Sequence, residues 1–177
     1  MTLRTLRVSA LAAAAVLALA GCSAPASSAP ASSQADAFSS TDVWVKAADS
    51  GMTAGFGELR NDGDTDLTVV SATDEATSAM ELHETVPNES GQMVMREVEG
   101  GFVIPAGGSI ELAPGGNHLM FMDVTSPLRA GEETTITLTF ADDSTAEITA
   151  PVKEFSGANE NYEGGDMGDM GDMDMGH

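Results

Sequence analysis

The sequence predicts an all-β fold, arranged as an antiparallel β-sandwich or a Greek-key barrel. Short segments rich in Val, Ile, Thr and Leu recur between about residues 41 and 155 of the 177-residue chain. Gly, Pro, Asn and Asp separate these segments, and no long segment shows a helical period. Many short strands at regular spacing, joined by turn residues, are typical of sandwiches and barrels.

Alternation of apolar and polar residues predicts ten strands in this region. They cover residues 43–47, 53–59, 67–73, 79–85, 92–98, 102–104, 109–112, 118–124, 134–140 and 145–150. Residues that favour tight turns lie between them, at 61–64, 105–108, 114–116 and 141–144. Together the strands form one predicted domain, residues 41–155, which is large enough for a single hydrophobic core.

The first 21 residues have the layout of a secretory signal peptide. Arg4 and Arg7 precede an apolar run that is too short for an ordinary membrane span. Cys22, the only cysteine, directly follows Leu-Ala-Gly, which resembles the lipobox of bacterial lipoproteins. We therefore expect residues 1–21 to be removed and Cys22 to carry lipid. The protein would then be exported and lipid-anchored to the outer face of the cell membrane, or periplasmic.

The segment that follows the cysteine is rich in Ser, Ala and Pro. It has too little apolar bulk to fold, so residues 22–40 are predicted to be the lipidated cysteine and a flexible tether. After removal of residues 1–21, 5 Lys and Arg stand against 28 Asp and Glu, a net charge of −23. This charge argues against a nucleic-acid partner. The sequence also lacks a nucleophile–base pair, a paired-carboxylate motif and a phosphate loop, which predicts a binding protein and not an enzyme.

Three predicted strands carry soft metal-binding side chains. These are His83, then Met93 and Met95, then His118 and Met120. Imidazole and thioether suit copper, above all Cu(I), which accepts polarizable sulfur and neutral nitrogen. Neutral ligands hold such an ion without trapping it, and disulfide formation cannot remove them. This set fits a copper carrier better than a copper store.

Strand alternation tests whether these residues can share a site. Residues two apart on a strand lie on one face, about 6.6 Å apart. His118 and Met120 meet this condition, and Met122 lies on the same face as a reserve ligand. Met93 and Met95 also share a face, so alternation leaves the choice between them open.

His83 lies on the polar face of its predicted strand, opposite the apolar Leu82. The pattern therefore predicts an exposed or a ligating histidine and not a core one. Taken alone, a methionine on a strand most often fills a core, and a surface histidine is most often solvated. The predicted domain has only two histidines, each on a polar face, and one belongs to a His-x-Met pair. This coincidence favours a joint metal site.

The chain closes with an acidic, methionine-rich tail, residues 156–177. A repeat of three residues cannot build a core, so we predict a tail that is disordered without metal. Its thioethers and its last imidazole favour auxiliary copper binding, and its aspartates would also accept Cu(II). The alternative is a solubilising segment. The predicted auxiliary ligands are Met167, Met170, Met173, Met175 and His177.

The domain resembles the periplasmic copper chaperone family called PCuAC over most of residues 42–152. The family signature is a His, then a Met, then a His-x-Met pair. It falls here on His83, Met95, His118 and Met120. The stretches 98–100, 104–108 and 114–122 are similar to the connecting sequence of the family.

This resemblance implies a cupredoxin-like β-barrel that binds Cu(I) through two His and two Met. It also implies delivery of copper to the dinuclear copper centre of a terminal cytochrome oxidase, either directly to its copper subunit or through another copper chaperone. A copper-buffering lipoprotein with no specific recipient is the alternative. An electron-transfer cupredoxin is disfavoured, because blue copper sites need a cysteine thiolate and the mature domain has none.

Overall fold

The computed structural model describes residues 32–157 and 161–162. The helical structure in these ranges is a 3-10 helix over Gln34–Ala37, and no described helix is long and apolar enough to cross a membrane. Six residues with predicted roles lie outside the described ranges. They are Cys22, Met167, Met170, Met173, Met175 and His177.

The described chain is otherwise built from eleven strands, and the all-β prediction is confirmed. They are β1 Phe38–Lys46, β2 Gly51–Asn61, β3 Leu67–Thr73, β4 Met80–Pro87, β5 Met93–Glu97, β6 Phe102–Ile104, β7 Ser109–Leu112, β8 His118–Val124, β9 Glu133–Phe140, β10 Thr145–Lys153 and β11 Asn161–Tyr162.

The strands form two layers that pack on each other. One layer has the strand order β6-β3-β9-β10, and the other has the order β1-β2-β8-β4-β5-β11, with β7 also paired to β2. Parallel pairing of β1 with β10 joins the layers, with Val45 opposite Val152. Apart from this pair and β5–β11, the named strands of the described ranges pair antiparallel, as the sequence predicts.

The main hydrophobic core lies between the two layers. Leu119 and Phe121 of β8 and Ile136 and Phe140 of β9 are each fully buried there. Burial of one such side chain stabilises the fold by about 1.5–3 kcal/mol. One face of β8 therefore packs in the main core, and the side chains of its other face lie outside this core.

Within the described residues, regular structure is present before the predicted domain boundary at residue 41. Ser33 caps the 3-10 helix, its hydroxyl accepting a backbone N–H in the first turn. Phe38 then begins β1 and packs on Phe140, with ring centroids 5.3 Å apart. The prediction of a flexible tether is therefore wrong for residues 34–40, because a cap and one distant aromatic contact order this polar segment.

A second difference concerns the beginning of the predicted tail. Asn161–Tyr162 pairs parallel with β5, opposite Val94 and Met95. The prediction of disorder is therefore wrong for these two residues. Their backbone lies beside the strand that carries one of the predicted copper ligands.

Candidate metal centre

The predicted ligands lie on three neighbouring strands, in the order β5-β4-β8. His83 of β4 is directly opposite His118 of β8. Met120 lies two residues after His118 on β8. Met95 of β5 is directly opposite Thr85, which lies two residues after His83 on β4. Cross-strand partners share a face and every second residue returns to it, so all four side chains lie on one face.

This face is turned away from the main core. The intervening Leu82 and Leu119 belong to the main core, as the alternation predicts. The other face carries a second, smaller apolar cluster, which we call the outer cluster. It consists of Ala54, Phe56, Met95 and Met120, with Trp44 and Met122 packed against it.

The outer cluster buries the candidate ligands almost completely. The exposed fraction is 0% for His83, 2% for His118, 4% for Met120 and 7% for Met95. Strand alternation correctly separates these residues from the main core. The expectation that the histidines lie on a polar face is wrong, because the outer cluster covers that face.

Hydrogen bonds assign the tautomer of each neutral imidazole. His83 Nε2 lies 2.8 Å from Glu81 Oε2, so Nε2 donates and the lone pair is on Nδ1. His118 Nδ1 donates to the Gly116 carbonyl over 3.0 Å, so its lone pair is on Nε2. The two ring centroids are 5.5 Å apart. A histidine oriented in this way through its second nitrogen is typical of metal centres.

A cavity of about 180 Å³ opens beside these residues. Its soft donors are His118, Met95, Met120 and Met52. Among the described residues that line it, Lys46 is the charged one and none is a carboxylate. His83 is next to the cavity, with its ring against that of His118.

Two imidazoles and two thioethers are the soft donors that this face brings together. In residues 32–157 and 161–162, no group of three or more His, Cys, Asp and Glu side chains is placed to hold a metal. The two imidazoles and the adjacent thioethers offer the neutral nitrogen and polarizable sulfur that Cu(I) accepts. The donors present therefore fit copper.

The geometry distinguishes the two methionines of β5. Met95 is buried and lines the cavity, whereas Met93 is 47% exposed and does not. The structure therefore favours Met95 as the ligand. The reserve residue Met122 is partly buried against the outer cluster and does not line the cavity.

The sequence analysis missed Met52, which lines the same cavity. The predicted second strand begins at residue 53, whereas β2 begins at Gly51. Extension of the strand by two residues would have placed Met52 on the face of Ala54 and Phe56. The alternation that identifies Met52 is therefore present in the sequence, but the predicted strand begins one residue after Met52 and leaves it out.

Residues 39–152 match the protein family described as "Putative lipoprotein LpqE-like". The chain belongs to the LpqE-like family. It is 48% identical over 165 residues to "Putative lipoprotein Lxx21020" of Leifsonia xyli subsp. xyli, a match that covers 92% of this chain and 98% of that relative. Over 80 residues it is 32% identical to the uncharacterized protein RP573 of Rickettsia prowazekii, covering 45% of this chain and 43% of the relative.

The LpqE-like domain is also similar to solved PCuAC domains. The apo PCuAC domain from PmoF1 matches with a TM-score of 0.57 and 21% identity, over 67% of this chain and 95% of that one. The Cu(I) form of DR1885 from Deinococcus radiodurans matches with a TM-score of 0.52 and 28% identity, over 70% of this chain and 84% of that one. The resemblance to PCuAC and the cupredoxin-like fold class are confirmed.

Proposed function

We propose that this LpqE-like protein is an exported, lipid-anchored copper chaperone. It binds one Cu(I) through His83, Met95, His118 and Met120. The observation that carries the proposal is the convergence of two imidazoles and two thioethers, all buried, on one face of three adjacent strands.

The donor set explains the choice of metal. Zn²⁺ usually takes thiolate or carboxylate ligands as well as imidazole, and Mg²⁺ and Ca²⁺ take oxygen ligands. No carboxylate stands among the described residues that line the cavity, whereas Lys46 does. Thioether sulfur and imidazole nitrogen suit Cu(I). The similarity to a Deinococcus protein solved in its Cu(I) form supports the same oxidation state here.

Neutral ligands suit a protein that releases its copper. A recipient replaces them one at a time by its own ligands, and copper is transferred without leaving the protein surfaces. We propose the dinuclear copper centre of a terminal cytochrome oxidase as the destination, reached through its copper subunit or another copper chaperone. The lipid on Cys22 would keep the carrier at the membrane where such an oxidase lies, and the family description supports a lipoprotein.

The methionine-rich tail is proposed as a second, looser copper site. Its thioethers would capture Cu(I), and its aspartates would also accept Cu(II). The copper-buffering alternative depends on this tail, because closely spaced thioethers and carboxylates gather metal without presenting it to a recipient.

An anaerobic Cu(I) competition titration tests the binding site. The purified protein is compared with His118→Gln/Met120→Leu, with Met93→Leu, and with a chain that ends at Gly165. We expect the wild type to bind one equivalent of Cu(I) tightly. The double substitution should abolish this tight binding, whereas Met93→Leu and the truncation should leave it unchanged. Circular dichroism of each variant checks the fold. Loss of all binding on truncation would instead make the tail the copper-binding segment.

A deletion strain separates delivery from buffering. Loss of a chaperone lowers oxidase activity when copper is limiting, whereas loss of a buffer lowers tolerance to excess copper. We expect the first phenotype, restored by the wild-type gene and not by the His118→Gln/Met120→Leu variant.

A further inference from the structure

The buried ligands pose an access problem that the four-residue site does not solve. His83, His118, Met95 and Met120 are each at most 7% exposed. Copper that reaches them must lose its solvent ligands while it crosses the cavity. Removal of an ion from water without replacement ligands is costly, so a donor at the mouth of the cavity would lower that barrier.

Met52 is the soft donor that stands at this mouth. Among the residues that line the cavity, it carries a thioether and is 47% exposed, whereas the other soft donors are buried. Its side chain therefore contacts both solvent and the cavity. The methionine side chain has three rotatable bonds and a polarizable sulfur, so the sulfur can move between the two.

The local backbone directs Met52 to this position. The pairing of β2 with β8 shifts register between Gly51 and Thr53, so that Met52 stands opposite two residues of β8, Met122 and Asp123. Gly51 has a φ of +74°, a conformation that glycine adopts readily. Thr53 Oγ1 donates to the Lys46 carbonyl over 2.7 Å and fixes the residue after Met52. The extra residue belongs to β8, and such an irregularity increases the local twist of the strand pair beside the cavity.

We propose that Met52 is an auxiliary copper ligand that holds Cu(I) transiently at the mouth of the cavity. During loading its sulfur binds the ion before Met95, Met120 and the histidines do. During transfer it retains the ion until the ligands of the recipient replace it. Each step exchanges one neutral donor for another, so the copper stays Cu(I) and no proton moves. This inference rests on the proposed function.

The positive charge of Lys46 beside the cavity makes a strong donor for Cu(I) at the mouth more important. The ammonium group of Lys46 lines the same cavity and donates to the Gly157 carbonyl over 2.7 Å. Its positive charge opposes the approach of a bare cation. Thioether sulfur binds soft ions. The Met52 sulfur therefore offsets the repulsion from Lys46 for Cu(I) but not for hard cations.

The test compares rates with equilibrium affinity. In a stopped-flow instrument, Cu(I)-loaded protein is mixed with excess of a colorimetric Cu(I) chelator to measure release. Metal-free protein is mixed with the Cu(I) complex of the same chelator to measure loading. Both rates are compared between the wild type and Met52→Leu. Leucine keeps the apolar bulk and removes the sulfur. We expect loading and release each to slow about tenfold, equivalent to about 1.4 kcal/mol of activation free energy. The equilibrium affinity should change less than about threefold.

Met93→Leu is the matched control. Met93 has the same exposed fraction as Met52, 47%, but does not line the cavity. We expect its rates to equal those of the wild type. Unchanged rates in Met52→Leu, with tight binding intact, would overturn this inference alone. An affinity loss as large as that of Met120→Leu would make Met52 a principal ligand and overturn its transient role. Loss of tight binding in the wild type would overturn both this inference and the proposed function.

Discussion

Glu81 orients one of the two imidazoles of the candidate metal centre. Its carboxylate accepts the Nε2 hydrogen bond of His83 over 2.8 Å, which places the lone pair of the ring on Nδ1. The pair is partly shielded from solvent, because His83 is fully buried and the Glu81 side chain is 26% exposed. We regard Glu81 as a positioning residue and not as a ligand.

Replacement of Glu81 tests this role. We expect Glu81→Ala to weaken Cu(I) binding about tenfold, because loss of a partner that orients a ligating histidine typically has an effect of this order. Glu81→Gln should recover part of the loss, since its amide oxygen still accepts the hydrogen bond. Glu84→Ala is the control, because Glu84 instead pairs with Arg96 on the surface. Competition titration measures all three, and equal affinity in Glu81→Ala and Glu84→Ala would contradict the role.

The two methionines of β5 provide a sharper test of the ligand set. Met95→Leu should abolish tight Cu(I) binding, whereas Met93→Leu should leave it within about threefold. Both changes conserve volume, so each should cost less than about 1.5 kcal/mol of unfolding free energy. Affinity is measured by competition and stability by urea unfolding. The reverse result would assign the site to Met93 and refute the cavity geometry as its basis.

The strands differ in how well the sequence specifies their ends. The predicted and observed bounds coincide for β3, β6, β7 and β8, which stand between turn residues that stop a strand locally. The early start of β1 was not predictable in this way. Residues 38–40 pair with the end of β2 and Phe38 packs on Phe140, and such distant contacts leave no local pattern.

The burial of the histidines has a similar explanation. Alternation along β4 and β8 correctly assigned their faces, because a period of two is a local property. What covers the outer face is set by other strands, whose Phe56 and Trp44 pack together with ring centroids 4.9 Å apart. A single strand pattern carries no information about this cover.

The segment before β1 is attached to the turn between β9 and β10 through a carboxylate. Asp142 accepts hydrogen bonds from the Ser144 hydroxyl over 2.6 Å and from the Gln34 backbone N–H over 2.7 Å. These bonds, the Ser144 hydroxyl first, hold the pKa of Asp142 below its ordinary value of 3.8. The ionised form thus favours the attached state.

Attachment of this segment should therefore depend on pH. Because the pKa of Asp142 is lower in the folded chain, its contribution is present above about pH 3.8 and is lost as pH falls through the folded pKa. We expect the Gln34 amide resonance in NMR spectra to titrate with a midpoint below 3.8. Asp142→Asn should remove this transition. A midpoint at or above the ordinary value would contradict the attachment.

The net charge of the chain influences the stability of its folded part. At −21 over 177 residues, the negative charges repel one another in the compact state more than in the unfolded one. Salt screens this repulsion, with a Debye length of about 10 Å at 0.1 M. We expect the urea midpoint to rise when NaCl is raised from about 0.02 M to about 0.5 M, because the added salt shortens the Debye length and screens the repulsion. Urea is the suitable denaturant because it adds no ions, and a midpoint that falls with salt would contradict the repulsion.

Strand β5 lies near one end of the hydrogen-bonded path, between β4 and the two residues of β11. A strand so weakly flanked on one side frays more readily than a central one, and fraying carries Met95 away from His118 and Met120. Copper bound to these residues would tie β5 to β8, two strands that share no hydrogen bonds. Metal release and opening of the sheet edge are then thermodynamically linked, so that a partner which loosens this edge also lowers copper affinity.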